Sequence, residues 1–457
     1  MISKSDLKNH ASPTSCWVKI SDKVYDLTSF LDHHPGGVDP ILSVSGSDAT
    51  DAFFMYHPDH VHKRMKSYEV GTFLDVDCLS SPQNKRHHPK TNDTYKQTTH
   101  IDDFRMLHAY FQRQGIYKAN MIFYMKQAIW MMFLFSFSLY LSLTHHPILG
   151  GGVMGLFWQQ IAGIGHDLGH SSVFYNSMKY NHLVGSLLTS VMGLSLGWWR
   201  KDHNTHHVVC NSIDFDPNIQ HMPLFAISDK ILFGFFDQYH KKEVRASTLS
   251  KQLIRHQHLY AYPLLIFVAR WNLYVEGIAY LLKQISEPNG RSYFLILEGI
   301  GVLVFILWVS FILAAQTNPF HSLLWLSTSH AVAGILHVQI VLSHWTMQSY
   351  FGKKKNEEIV DSIGIQGNDW YMTQLETTMN IQTNPLFDWV HLGLQFQIEH
   401  HMFPKLPRHN LRLARKYVKQ ICAKHNLPYV ELGFFEANLK LWSTLKEISS
   451  RVKRVEM

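Results

Sequence analysis

The chain has 457 residues, a formal net charge of +7 and 31 histidines. That length exceeds one ordinary compact domain, so at least two units are expected. A basic balance suits nucleic acid or an anionic membrane surface; no nucleic-acid motif is present and the basic residues sit beside apolar spans, which argues against the first and for the second.

Residues 1–75 read as a small soluble α+β domain. Trp17–Ile20 and Lys23–Leu27 are strand-like runs around a Ser21-Asp22 turn, and helical patches follow, broken by His34-Pro35-Gly36-Gly37. Residues 76–100 are polar and basic (Lys85, Arg86, Lys90) and read as a linker. A third unit, residues 101–457, opens on an amphipathic lead-in helix over 101–120.

Apolar runs follow at 127–143, 148–165, 299–315 and 323–343, near or above the minimum length for a spanning helix. They pair into two helical hairpins, joined by Thr144–Pro147 and by Gln316–His321. Residues 183–199 are apolar but short and are expected to be re-entrant or interfacial. Residues 258–283 contain Pro263, Arg270 and Glu276 and are expected at the interface. Neither hairpin turn carries Lys or Arg, whereas the other connections do (Arg200, Lys201, Lys241, Lys242, Arg245, Lys251, Lys353–Lys355). The positive-inside rule therefore places both termini and the large loops in the cytosol. The start, MISKSDLKNHASP, has no apolar signal-peptide core, so insertion relies on internal spans. The four cysteines (Cys16, Cys78, Cys210, Cys422) are scattered, as suits reduced thiols.

Three histidine clusters interrupt this pattern: His166-Asp167-Leu168-Gly169-His170, His203-Asn204-Thr205-His206-His207 and Gln397-Ile398-Glu399-His400-His401. Residues at i, i+3 and i+4 share one helix face. His166 and His170 are an i, i+4 pair; His203, His206 and His207 are i, i+3, i+4; Gln397, His400 and His401 repeat that pattern with Gln first. Each box can thus aim its side chains at one point. Imidazoles with nearby carboxylates and no Cys ligand suit iron or another borderline metal, and seven exceed the needs of one ion, so two are implied. The hairpins return the chain to its starting side, which brings the three boxes together on the cytosolic face. His344, ending the fourth span, is a candidate eighth imidazole ligand. His337 lies deeper, where a polar group is a functional candidate or a packing residue. His330 and His321 receive no role, and His145 and His146 are read as turn residues. Asp167, Asp202, Asn204, Asp214, Asp216 and Glu399 are candidates to hold the ligating imidazoles in orientation.

The N-terminal unit, with His34-Pro35-Gly36-Gly37 after Val24-Tyr25-Asp26-Leu27 and with His57 after Asp51–Tyr56, resembles the cytochrome b5 fold over residues 5–75. The resemblance implies heme b with His34 and His57 as axial ligands, rather than their neighbours His33 and His60. Both axial sites are then filled, so such a haem carries electrons and leaves oxygen unbound. With this domain in front, HDLGH, HNTHH and QIEHH resemble the front-end desaturases over nearly the whole chain. Gln397 is the informative residue, because other membrane desaturases carry His there. Met402 and His391 depart mildly from the family pattern. The resemblance implies an α+β haem domain followed by an all-α integral membrane domain with about four transmembrane helices and a cytosolic cap. It implies a di-iron site (His166, His170, His203, His206, His207, Gln397, His400, His401, with His344 added), O2 as co-substrate, and electrons from NADH through a separate NADH–cytochrome b5 reductase. The expected location is the endoplasmic reticulum membrane.

The segment His207–Pro223, Gln374–Met379 and Pro407–Asn410 is similar to Δ8 sphingolipid long-chain-base desaturases. The reading leans to a sphingoid substrate, with a Δ6 or Δ8 polyunsaturated fatty-acyl chain as the alternative. A lipid hydroxylase on the same scaffold and a non-catalytic haem-binding adaptor are the rivals; intact boxes speak against the adaptor. The substrate chain is expected to pass near Trp158, Trp198 and Trp199.

Overall fold

The computed structural model describes residues 1–74, 98–175, 177–287, 292–352 and 369–455. Cys78, most of the expected linker and Lys353–Lys355 lie outside the described residues.

The N-terminal domain is built on an antiparallel sheet of β1 (Ala11–Ser12), β2 (Ser15–Ile20), β3 (Lys23–Asp26) and β4 (Glu69–Thr72), in that order. Alternation along β2 turns Cys16, Val18 and Ile20 into the core. They meet Leu31, Ile41 and Leu42, the last two from α1 (Asp39–Val44), and Phe53 from α2 (Thr50–Tyr56).

The lead-in helix, α3 (His100–Arg113), starts on a Thr99–Asp102 capping box. Then come α4 (Met121–Leu143) and α5 (Pro147–Gly169), and later α10 (Tyr293–Ala314) and α11 (Pro319–Leu342). These are the four expected spans, each longer than its apolar run. Caps explain the added turns: Asn120, Ser292 and Asn318 accept the first free N–H groups. Helix α5 runs on through the first box, since His166–Gly169 end the apolar stretch and leave the helix intact. On length and hydropathy α4, α10 and α11 qualify as membrane-spanning. Helix α5 is equally long but carries Gln159 and Gln160 and is packed between α4 and α11. Its glycines let it approach α11 closely: a Cβ on Gly151 would lie 2.4 Å from the Trp325 carbonyl oxygen, and one on Gly155 2.4 Å from that of Ser329.

The expected segment 183–199 is two helices, α6 (Met178–Met192) and α7 (Leu196–Val208). Gly193 at φ +72° ends the first, and Ser195 caps the second. Buried Glu298 on α10 ties both halves down, accepting from Ser186 Oγ (3.2 Å), Ser195 Oγ (2.5 Å) and the Gly197 N–H (3.1 Å). The 258–283 segment is likewise two helices, α8 (Gln257–Phe267) and α9 (Ala269–Ser286), bent by 63°. Jointly they are apolar and long enough for a broken span or a re-entrant loop, which is more than the surface position expected. Arg270, beside the bend, donates to the Met192 carbonyl (3.1 Å) and lies 4.8 Å from the Trp158 ring, so the two breaks meet.

The C-terminal part is a helical cap: α12 (Trp370–Thr377), α13 (Gln397–Met402), α14 (Leu411–His425) and α15 (Phe434–Val455). Strands β5 (Asn380–Gln382) and β6 (Glu431–Gly433) pair in parallel between them. The N-terminal domain docks by charge. Asp39 faces Lys201 (3.6 Å) and Lys241 (3.0 Å), and Arg105 makes two bonds to Asp51 (2.8 and 2.9 Å).

Candidate active site

Each box sits on a helix that fixes its aim. The first ends α5, the second fills the last turns of α7, and the third forms α13. Their imidazoles converge as two groups. His166, His170, His203 and His400 each bring a ligand atom within 4.8 Å of the others; so do His206, Cys210, His344 and His401. His207 stands between them, 4.6 Å from the rings of His170 and His400 and stacked on His401 at 3.9 Å. Its Nε2 is 3.0 Å from that of His203.

The donors suit metal ions. His166 Nε2, both ring nitrogens of His170, His400 Nε2 and His401 Nε2 are buried with no hydrogen-bond partner among the described residues, an arrangement that costs free energy unless something shares those lone pairs. Burial first, and the neighbouring imidazoles second, hold His203, His207, His400 and His401 well below the usual imidazole range. They are therefore neutral, which is the ligating form.

Of the orienting candidates, Asp216 bonds a box imidazole. Asp216, fully buried, takes His206 Nδ1 at 2.8 Å and is fixed by the backbone N–H groups of Asn211 (2.7 Å) and Asn218 (2.8 Å). Asp202 is held by Asn218, Asp214 by Ser212 and Gly352, and Glu399 by Asn380 and Tyr429. Asp167 takes the Tyr124 hydroxyl (2.7 Å) and Arg408 (3.3 Å), leaving His166 Nδ1 4.0 Å away. The sequence offered no signal for Gln374, whose Oε1 is 3.1 Å from His401 Nδ1. Nor did it single out Cys210, whose Sγ is 3.4 Å from His344 Nδ1. Burial, followed by Asp216, pushes this thiol well above its usual range, so it meets His344 protonated. Gln397 is buried at the start of α13, one helical turn from His400 and His401. His337 and His330 lie outside both groups; His330 stacks on Trp271 at 4.6 Å. Trp199 stacks on His203 (4.3 Å) at the edge of the site, whereas Trp158 is locked in the helix core by its bond to the Val191 carbonyl. His145 takes φ +63° in the α4–α5 turn.

In the N-terminal domain the rings of His34 and His57 face one another, centroids 6.0 Å apart. His34 Nδ1 bonds the Gly37 carbonyl (2.7 Å) and His57 Nδ1 that of Phe53 (3.0 Å). Both Nε2 atoms are thereby left for a metal between the rings. A Cβ on Gly36 would lie 2.8 Å from His34 Cε1, so the ring's position demands glycine there.

Residues 3–74 match the family described as Cytochrome b5-like Heme/Steroid binding domain, and residues 143–433 match the one described as Fatty acid desaturase. The chain is 32% identical to "Acyl-lipid (9-3)-desaturase" of Borago officinalis, over 99% of this chain and 94% of that protein. It is 33% identical to "Delta(8)-fatty-acid desaturase 2" of Arabidopsis thaliana at the same coverage. To "Delta 8-(E)-sphingolipid desaturase" of Kluyveromyces lactis it is 27% identical, over 99% of this chain and 93% of that one. With two converging histidine groups and a facing histidine pair in a small domain in front, the chain belongs to the fatty acid desaturase family, as an oxidoreductase with a fused cytochrome b5-like domain.

Proposed function

We propose that this protein introduces a double bond, at a front-end position, into the sphingoid long-chain base of a membrane lipid. The observation that carries the reading is the convergence of two histidine groups whose members lie within 4.8 Å of one another. His166, His170, His203 and His400 would hold one iron, His206, His344 and His401 the other, with His207 between them. Bound iron with O2 supplies the oxidising power for an unactivated C–H bond, which side chains alone lack. The chain's own residues do the rest. Asp216 and Gln374 orient His206 and His401, Cys210 contacts His344, and Trp199 closes the site beside His203. His34 and His57 would hold heme b, fed from NADH by a reductase. The Lys/Arg bias of the loops supports both termini and the site facing the cytosol, in the endoplasmic reticulum membrane.

The substrate assignment rests on the similarity of His207–Pro223 and its companion segments to long-chain-base enzymes, with which the Kluyveromyces lactis relative agrees by name. The names of the Borago officinalis and Arabidopsis thaliana relatives favour a second reading, a fatty-acyl chain. Expression in a yeast lacking such activity, fed linoleic and α-linolenic acids, separates the two by mass spectrometry. A new bond in the sphingoid base, absent from a His400→Ala, His401→Ala double variant, supports the proposal. New bonds confined to the fed acids move the enzyme to acyl chains. A variant-sensitive hydroxylated product without either bond overturns desaturation.

A further inference from the structure

The N-terminal domain meets the rest of the chain through the edge that carries its facing histidines. Tyr56 directly precedes His57. Its hydroxyl is buried with no hydrogen-bond partner among the described residues, and its ring stands edge-on to Trp370, centroids 6.5 Å apart at 88°. Lys405 donates to the Tyr56 carbonyl at 3.3 Å and pins this turn. Trp370 opens α12, and Thr377 closes it. The Thr377 carbonyl accepts from Cys210 Sγ (3.7 Å), which is itself 3.4 Å from His344 Nδ1. Packed atoms thus run from His57 to the His206–His344–His401 group.

We propose that the Tyr56 ring is the coupling element for electron transfer between the two centres, acting through Trp370 and α12 onto Cys210 and His344. This rests on the desaturase reading above. Forming the double bond takes two hydrogens from the substrate and reduces O2 to two waters, which requires two further electrons and two protons. With haem and iron bound, the electrons would pass singly from the one to the other, and neither Tyr56 nor Cys210 would gain or lose an atom. Electron tunnelling weakens more steeply across empty space than through packed atoms, so an aromatic ring at this junction favours transfer while leaving both metal sites as they are.

The test uses the full-length protein carrying haem and iron, reduced by dithionite and mixed with O2 and lipid substrate. Stopped-flow absorbance reads haem reoxidation in excess of that of iron-depleted protein. Tyr56→Leu should slow it several-fold with the haem spectrum, haem midpoint potential and iron content unchanged. Tyr56→Phe, which keeps the ring, should reoxidise like the parent. A Leu variant at the parent rate overturns the proposal, as does equal slowing in both variants, which would assign the effect to the hydroxyl. Slowing accompanied by a shifted potential or lost iron overturns it in favour of a structural role. Slowing confined to Lys201→Met, which touches Gly37 from α7, moves the route to that contact. A parent protein with no iron-dependent reoxidation removes the desaturase reading itself.

Discussion

Replacing Asp216 by alanine should empty one metal position and spare the other. The carboxylate is fully buried and receives three bonds: His206 Nδ1 at 2.8 Å and the backbone N–H groups of Asn211 and Asn218. An outer partner of a ligating imidazole is worth about 10–100-fold in metal affinity, roughly 1.4–2.8 kcal/mol at a factor of ten per 1.4 kcal/mol. The two stranded N–H groups add a stability cost of about 1–3 kcal/mol each. His206 belongs to the group with His344 and His401, so iron per chain should fall toward half, because the His166–His170–His203–His400 group keeps its ligands. Iron is counted by elemental mass spectrometry on purified protein, and product by lipid profiling. Asp216→Asn, which keeps an acceptor oxygen, should retain more iron than the alanine variant. Asp214→Ala should cost less iron still, since Asp214 serves Ser212 and Gly352. Full iron and parental activity in Asp216→Ala would refute the orienting role.

Gln374→Leu removes the Oε1 acceptor from His401 Nδ1 and should lower iron and product together, by about 10-fold or more in metal affinity; metal titration of the variant checks it. Gly155→Leu drives a side chain into the Ser329 carbonyl of α11; such overpacking costs about 1–3 kcal/mol or more, seen as a lower thermal midpoint in detergent. Glu298→Leu strands the three donors from Ser186, Ser195 and Gly197, at about 1–3 kcal/mol each. It should abolish folded expression by size-exclusion chromatography, and Glu298→Gln should restore part of it. Asp103 joins α3 to α14 through Lys424 (2.6 Å) and His425 (2.7 Å). Burial, the largest influence, pulls its carboxyl upward, but the bonds from Lys424, His425 and Thr98 prevail and hold it at about 2, below the ordinary 3.8. A depressed folded value stabilises above the ordinary range and is lost as pH falls through the folded one. Near-ultraviolet circular dichroism should therefore show this junction loosening as pH falls from the ordinary carboxylate value through about 2, and Asp103→Asn should remove that dependence.

Much of the site was legible because its logic is local. A helix converts spacings of three and four residues into a shared face, so the boxes, and the His34–His57 pairing through resemblance, stood out in one dimension. Apolar runs likewise marked α4, α5, α10 and α11. Their ends were less legible, since caps such as Asn120 and Asn318 extend a helix beyond its apolar stretch. The breaks between α6 and α7 and between α8 and α9 escaped as well, because a Gly193 or an Arg270 reveals its purpose only against the helix it meets.

What remained hidden depends on contacts between segments far apart in the chain. Asp214 and Asp216 flank the second box equally in sequence, and the turn after α7 alone decides which carboxylate reaches His206. Gln374 lies 27 residues from His401, and Cys210 lies 134 from His344. By itself the sequence determined the chemistry, since helix periodicity and apolar length are properties of neighbouring residues. The tertiary structure alone decided which imidazoles share a metal position, what orients them and which edge of the haem domain faces them, because side-chain reach across packed helices is set by the close approach of distant glycines and by buried charges.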